Sequence, residues 1–140
     1  MAAWIPYALL SAVFDSLTAI FAKIGIEDVD SELATAIRTV IILVLAWGIA
    51  IARGATVGLP VLTGRTWLFL VLSGLATGAS WLCYFRALKL GPVSRVAPVD
   101  KLSVALSLLL AVVFLGETIS LKGALGAGLI LAGTLVLVWS

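Results

Sequence analysis

The chain has 140 residues, of which 63% are hydrophobic and 11% are charged, and its formal net charge is +2. Soluble domains are about 45–50% apolar and about 25% charged, and a domain of this size could not bury so much apolar surface. The composition therefore excludes a water-soluble fold. It indicates an integral membrane protein with a single domain over residues 1–140.

The residue types that are missing exclude several functions. There is no histidine, which excludes Ser-His and Cys-His catalysis and histidine metal sites. The one cysteine, Cys83, can form neither an intrachain disulfide nor a cysteine zinc site. The few positive charges are scattered, so we expect no nucleic-acid partner. No cofactor, metal or enzymatic activity is expected.

Five apolar stretches are long enough to cross a bilayer, since a spanning helix needs about 20 mostly apolar residues. They are predicted at 4–22, 33–52, 66–85, 98–116 and 123–140. They show no period-2 alternation, and they are about twice the length of a barrel strand. No Lys or Arg precedes the first stretch, which favours a retained helix over a signal peptide. The predicted fold class is an all-α bundle of five transmembrane helices.

The first span contains a carboxylate, Asp15, near its middle. A charge at that depth costs a few kcal/mol, and such residues usually face a bundle interior or a cavity. Asp15 is therefore a candidate substrate counter-charge or proton carrier. The alternative is a structural role as the partner of a buried arginine.

The obvious arginine is Arg38, which lies about 7–8 Å inside the second predicted span. Asp100 and Lys101 enter the fourth span at a similar depth, so we predict one charged layer of Asp15, Arg38, Asp100 and Lys101. Its charges sum to zero. Simpler roles are also open. With Pro98 in the first turn of the fourth helix, Asp100 would offset the helix dipole, and Arg38 and Lys101 could reach the headgroups.

The third span carries Gly74, Thr77, Trp81 and Tyr84 on one helical face. An aromatic face with a hydroxyl can line a pocket, and together with Asp15 it would suit an organic cation. The alternative is an ordinary packing face of large side chains.

The positive charges do not fix an orientation. Five spans place the termini on opposite sides of the membrane. Three positive residues are predicted on the N-terminal side, and four on the other. These are Arg53, Arg65 and Lys122 on the first side, and Lys23, Arg86, Lys89 and Arg95 on the second. Such a small excess permits both orientations. Arg86 and Lys89 are expected to contact solvent or lipid headgroups.

Two segments resemble a known family. Residues 84–98, Tyr-Phe-Arg-Ala-Leu-Lys-Leu-Gly-Pro-Val-Ser-Arg-Val-Ala-Pro, are similar to the end of helix 3 and the start of helix 4 in the EamA family of the drug/metabolite transporter superfamily. Residues 114–118, Phe-Leu-Gly-Glu-Thr, with the glycines that follow, resemble its closing segment. The resemblance implies a transporter of small metabolites or drugs in the plasma (inner) membrane of a bacterium or archaeon. Asp15 also resembles the first-helix carboxylate of the small multidrug resistance branch, which has four helices and a glutamate instead.

Many members of the family contain two five-helix units, the second inverted, whereas this sequence contains one. The resemblance therefore implies half of an inverted-repeat transporter, completed by an upside-down copy in an antiparallel homodimer. The substrate would bind near the midplane between the copies and be exposed alternately to each side. If Asp15 titrates, export would be proton-coupled. The alternative function is a non-transporting membrane assembly or accessory subunit. A lipid-modifying enzyme is disfavoured because no nucleophile–base pair is present.

Overall fold

The computed structural model describes residues 3–139, and within this range all regular elements are helices. The α-helices are α1 Ile5–Gly25, α2 Ser31–Ala52, α3 Gly64–Leu90, α4 Val93–Asp100, α5 Leu102–Leu115 and α6 Leu121–Trp139, and a 3-10 helix, Ala55–Val61, lies between α2 and α3. Five segments are long and apolar enough to cross a membrane, with α4 and α5 together forming the fourth. The predicted fold class is confirmed.

The third and fourth spans meet much closer together than the sequence indicated. The third was predicted to end at residue 85, but α3 continues to Leu90. The fourth was predicted to begin at residue 98, but α4 begins at Val93, directly after Pro92. The backbone carbonyl of Pro92 accepts the first N–H groups of α4, those of Arg95 and Val96, each at 3.1 Å. Pro92 is therefore the N-cap residue of α4, and Pro98, which was expected in the first turn of the fourth helix, lies further inside it.

The fourth span is interrupted at Lys101, between α4 and α5. Pro98 lies inside α4, where it has no N–H to donate and its ring crowds the preceding turn. The helix ends two residues later at Asp100. The N–H of Lys101 then bonds to the carbonyls of Ala97 and Pro98, at 3.3 and 3.1 Å, before α5 begins at Leu102.

The described chain forms two compact units. The first unit contains residues 3–20 and 90–139, and in it both α4 and α5 pack against α6. The second unit contains residues 21–89, and its small core is built around Ile26, Phe85 and Leu88. Most other apolar side chains lie on the outside, as expected where the solvent is lipid.

In the second unit, two lysine side chains connect α3 to the end of α1 and to the α1–α2 turn. The ammonium of Lys23 donates to the carbonyl of Leu88, one of the last four carbonyls of α3, which have no partner within the helix. The ammonium of Lys89 donates to the carbonyl of Val29 in the turn. Lys89 is exposed, which agrees with the expected contact with solvent or lipid headgroups, and it also has an acceptor in the turn.

The same turn begins α2 with a charged cap. Asp30 is the N-cap residue, and its Oδ1 accepts the N–H of Glu32 at 3.0 Å. Hydrogen bonding from Glu32, first through its side chain and then through its backbone N–H, lowers the pKa of Asp30. Glu32 in turn forms an ion pair with Arg86 at 3.3 Å. Arg86, like Lys89, is therefore engaged by the protein.

Candidate functional site

Three of the four charged residues predicted to share a layer meet in the first unit. The ammonium of Lys101 forms an ion pair with the Oδ2 atom of Asp15, and its Nζ atom lies 3.6 Å from the Oδ2 atom of Asp100. We call Asp15, Asp100 and Lys101 the ion-pair cluster. Arg38 was expected as the partner of Asp15, and the structure gives Asp15 a lysine partner instead. Lys101 lies between α4 and α5, in the same unit as Asp15, whereas Arg38 lies in the other unit.

The ion-pair cluster lies well inside the spans, yet it is accessible. Asp15 is ten residues beyond Ile5, which places it about 15 Å along α1. The side chains are 54% exposed for Asp15, 48% for Lys101 and 36% for Asp100. Two carboxylates and one ammonium leave a formal charge of −1. Such a group is costly against hydrocarbon, so water, a ligand or another chain must cover it in a bilayer.

A groove lies beside the cluster in the first unit. It is open, has a volume of about 420 Å³, and is lined by apolar residues of α4 and α6 together with Lys101 and Thr134. Thr134 is buried, and its hydroxyl is shared between the carbonyls of Pro98 at 3.2 Å and Ile130 at 2.8 Å. The Thr134 hydroxyl therefore links α6 to the last turn of α4.

Arg38 belongs to a different arrangement, in the second unit. Its guanidinium carbon lies 4.2 Å from the ring centroid of Phe85 and 5.6 Å from that of Trp81. The Tyr84 ring meets Phe85 edge to face, with centroids 5.7 Å apart and planes at 69°. We call Arg38, Trp81, Tyr84 and Phe85 the aromatic cluster. Stacking on ring faces stabilises a cation in a site of low dielectric constant.

The aromatic cluster differs in two ways from the predicted stripe on α3. Phe85, whose ring lies closest to the Arg38 guanidinium, was not among the predicted residues, although it follows Trp81 by four positions and so shares its helical face. Thr77 lies on the exposed surface, and its hydroxyl donates to the carbonyl of Ser73 at 2.9 Å. That hydroxyl is therefore engaged by its own helix.

The two clusters offer different kinds of surface. Among residues 3–139, no three or more Cys, Asp or Glu side chains are grouped so that they could hold a metal ion. The ion-pair cluster offers charge, whereas the aromatic cluster offers charge together with aromatic surface, and both lie within membrane spans. Charged and aromatic side chains are among those that recognise small solutes.

Comparisons with known proteins agree with this architecture. The model of the EamA-like transporter family matches residues 2–139. A Sinorhizobium sp. protein named "uncharacterized transporter in cobO 3'region" is 54% identical over 134 residues, which are 96% of this chain and 95% of the relative. No solved structure matches the chain.

Proposed function

Because this chain belongs to the EamA-like transporter family, we propose that it carries small metabolites or drugs across a bacterial inner membrane as a dimer of two five-helix units. Small metabolites and drugs are the substrates that the family resemblance implies. The similar Sinorhizobium protein is also named a transporter. That relative is matched over 95% of its length, so it too is about the size of one unit. Neither family nor relative points to an enzyme.

The observation that carries the proposal is the accessible ion-pair cluster. Asp15 and Lys101 lie in membrane spans, yet about half of each side chain is exposed on the single chain. Insertion of an ionised side chain at the centre of a span costs about 2.5–3.5 kcal/mol. A second copy enclosing a watery chamber over the cluster would remove most of this cost. It would also create the shared substrate site.

An antiparallel arrangement of the two copies is supported by the spans and the charges. With five spans, a second unit that continued the same chain would be inverted, and inverted repeats form transporter sites at their interface. Three positive residues against four on the two sides permit separate copies to insert in both orientations.

The broken fourth span supports alternating access. Discontinuous helices commonly form the sites of secondary transporters, because their free backbone groups and their ends lie at membrane depth. Lys101 stands at the break and holds Asp15. Rocking of the two copies would expose the cluster to each side in turn. Protonation of Asp15 would release Lys101, which couples export to proton entry.

Flux measurements test the coupling. Wild-type protein and Asp15→Asn are reconstituted in liposomes containing a pH-sensitive dye, and benzoate, benzylamine and ethidium are added as probes. We expect solute-coupled proton movement for wild type, and its loss for Asp15→Asn. Asp28→Asn, in the α1–α2 turn, is the matched control and should behave as wild type. Unchanged coupling in Asp15→Asn excludes Asp15 as the proton carrier.

Labelling measurements test the arrangement of the copies. In a Cys83→Ser background, Glu27→Cys and Lys122→Cys report opposite sides of the membrane. We expect a membrane-impermeant maleimide to label each position on part of the molecules from outside intact cells. One fixed orientation would instead favour a parallel oligomer or a partner of different sequence, as in the accessory-subunit alternative.

A further inference from the structure

The guanidinium of Arg38 lies over the aromatic rings of Phe85 and Trp81, and its Nη1 atom has no hydrogen-bond partner within residues 3–139. We propose that Arg38 binds the carboxylate of the transported solute, so that the substrates are small organic anions. This inference rests on the proposed transport function and narrows its substrate class. All the residues on which this inference depends belong to the second unit.

The charge of Arg38 is held at membrane depth. Arg38 follows Ser31 by seven residues, about 10 Å along α2. A free arginine at this depth would extend toward the headgroups. Instead its guanidinium lies 4.2 Å from the ring centroid of Phe85, and that residue is 1% exposed. The buried ring therefore keeps the charge away from the membrane surface.

The contacts with the rings leave the Nη1 donor of Arg38 without a hydrogen bond. A ring face interacts with the positive charge of a guanidinium, whereas hydrogen bonds need its five N–H groups, which lie in the guanidinium plane. The Nη1 atom is buried, and it has no hydrogen-bond partner within residues 3–139. A planar fork of this kind matches a carboxylate, which accepts two parallel hydrogen bonds from it.

The acidic residues of the second unit all lie in or next to the α1–α2 turn. They are Glu27, Asp28, Asp30 and Glu32. Asp30 caps α2, and Glu32 pairs with Arg86. A cation at membrane depth favours a counter-anion strongly. In this unit, a dissolved anion can therefore bind at the aromatic cluster as the counter-ion of Arg38.

A solute carboxylate and a lipid phosphate share the oxyanion chemistry that Arg38 recognises, so the experiment separates them. Protein in phosphatidylcholine nanodiscs is dialysed against labelled acetate, benzoate and glutarate, and against the matching amides. We expect saturable binding of at least one carboxylate by wild type. Its amide should bind more weakly by about 10- to 100-fold, the value of a charge-assisted hydrogen bond.

Variants test whether Arg38 is responsible for the carboxylate binding. Arg38→Gln should weaken carboxylate binding by the same 10- to 100-fold and leave amide binding unchanged. Arg38→Lys keeps the charge without the fork; it should show an intermediate loss, and it serves where Arg38→Gln does not fold. The matched control is Arg65→Gln, which removes another stacked guanidinium, 5.9 Å from the ring centroid of Phe69 at the start of α3. The control should bind as wild type.

Three results of the binding measurements would overturn the proposal, and a lipid competition gives a fourth. The three are no saturable carboxylate binding by wild type, wild-type binding by folded Arg38 variants, and an equal loss in Arg65→Gln. The lipid source is tested by adding phosphatidylglycerol. If this lipid abolishes carboxylate binding and co-purifies with wild type but not with Arg38→Gln, Arg38 binds lipid and the solute assignment fails. Because nanodisc binding needs no flux, its outcome is independent of the Asp15→Asn transport test.

Discussion

The ion-pair cluster and the aromatic cluster hold charge inside membrane spans by different means. In the first unit, Lys101 is neutralised by Asp15 and Asp100, and all three side chains are substantially exposed. In the second unit, Arg38 is half-buried and rests on rings, with a buried donor that no described residue satisfies. Under the proposed function, protonation of a carboxylate would release Lys101 from the ion-pair cluster. Under the further inference, the charge of Arg38 would be met by an anion from solution.

Removal of the buried ring should have the largest effect on stability. Phe85→Ala deletes a side chain that is 1% exposed and lies beneath Arg38. We expect the free energy of unfolding to fall by about 3–5 kcal/mol. The measurement is unfolding of detergent-solubilised protein by sodium dodecyl sulfate. Phe69→Ala, at a ring that is 57% exposed, is the control and should lose less than about 1 kcal/mol. Equal losses would refute a packed aromatic cluster.

Removal of the shared cation should be the next largest effect. Lys101→Met leaves Asp15 and Asp100 together without an ammonium, which we expect to cost about 3 kcal/mol in bilayer-like micelles. Adding Asp15→Asn should restore part of that loss, since fewer carboxylates then remain unpaired. Lys122→Met, in the first turn of α6, is the control. Additive losses in the double variant would show that the two residues are not coupled.

A smaller effect distinguishes two threonines. Both Thr134 and Thr77 donate to the carbonyl four residues earlier, but Thr134 also bonds to Pro98 just before the break. Thr134→Val should therefore cost about 1 kcal/mol, because it removes the hydrogen bond that joins α6 to Pro98. Thr77→Val should be nearly neutral. The same unfolding assay measures both, and equal values for the two variants would contradict a role for Thr134 at the break.

The smallest effect concerns the cap of α2 and its dependence on pH. The lowered pKa of Asp30 means that its stabilising contribution is complete above the ordinary carboxyl pKa and is lost as the pH falls through the lowered value. Asp30→Ala should lower the melting temperature near neutral pH, and its difference from wild type should shrink in acid. Asp30→Asn, a neutral cap, should keep its advantage over Asp30→Ala at every pH. A wild-type advantage that persisted in acid would rule out the charged cap.

The membrane-spanning architecture was predictable because it depends on composition. Runs of about 20 apolar residues have few alternatives in a bilayer, where the backbone must satisfy its own hydrogen bonds. The helix ends were less predictable. The third span was predicted to end at residue 85, yet α3 extends to Leu90 and includes Arg86 and Lys89. Their charges are met by Glu32 and Val29, residues that the sequence places more than 50 positions away.

The sequence by itself determined that this chain spans a membrane five times and carries Asp15, Arg38, Asp100 and Lys101 within or at the edge of those spans. Only the tertiary structure decided how these charges are distributed. Local spacing defines which residues share a helical face, but it does not define which helices meet. Lys101 pairs with Asp15, which lies 86 residues away in the sequence, while packing of Phe85 into the second unit gives Arg38 its ring. Both outcomes depend on contacts between distant segments, and no local pattern encodes them.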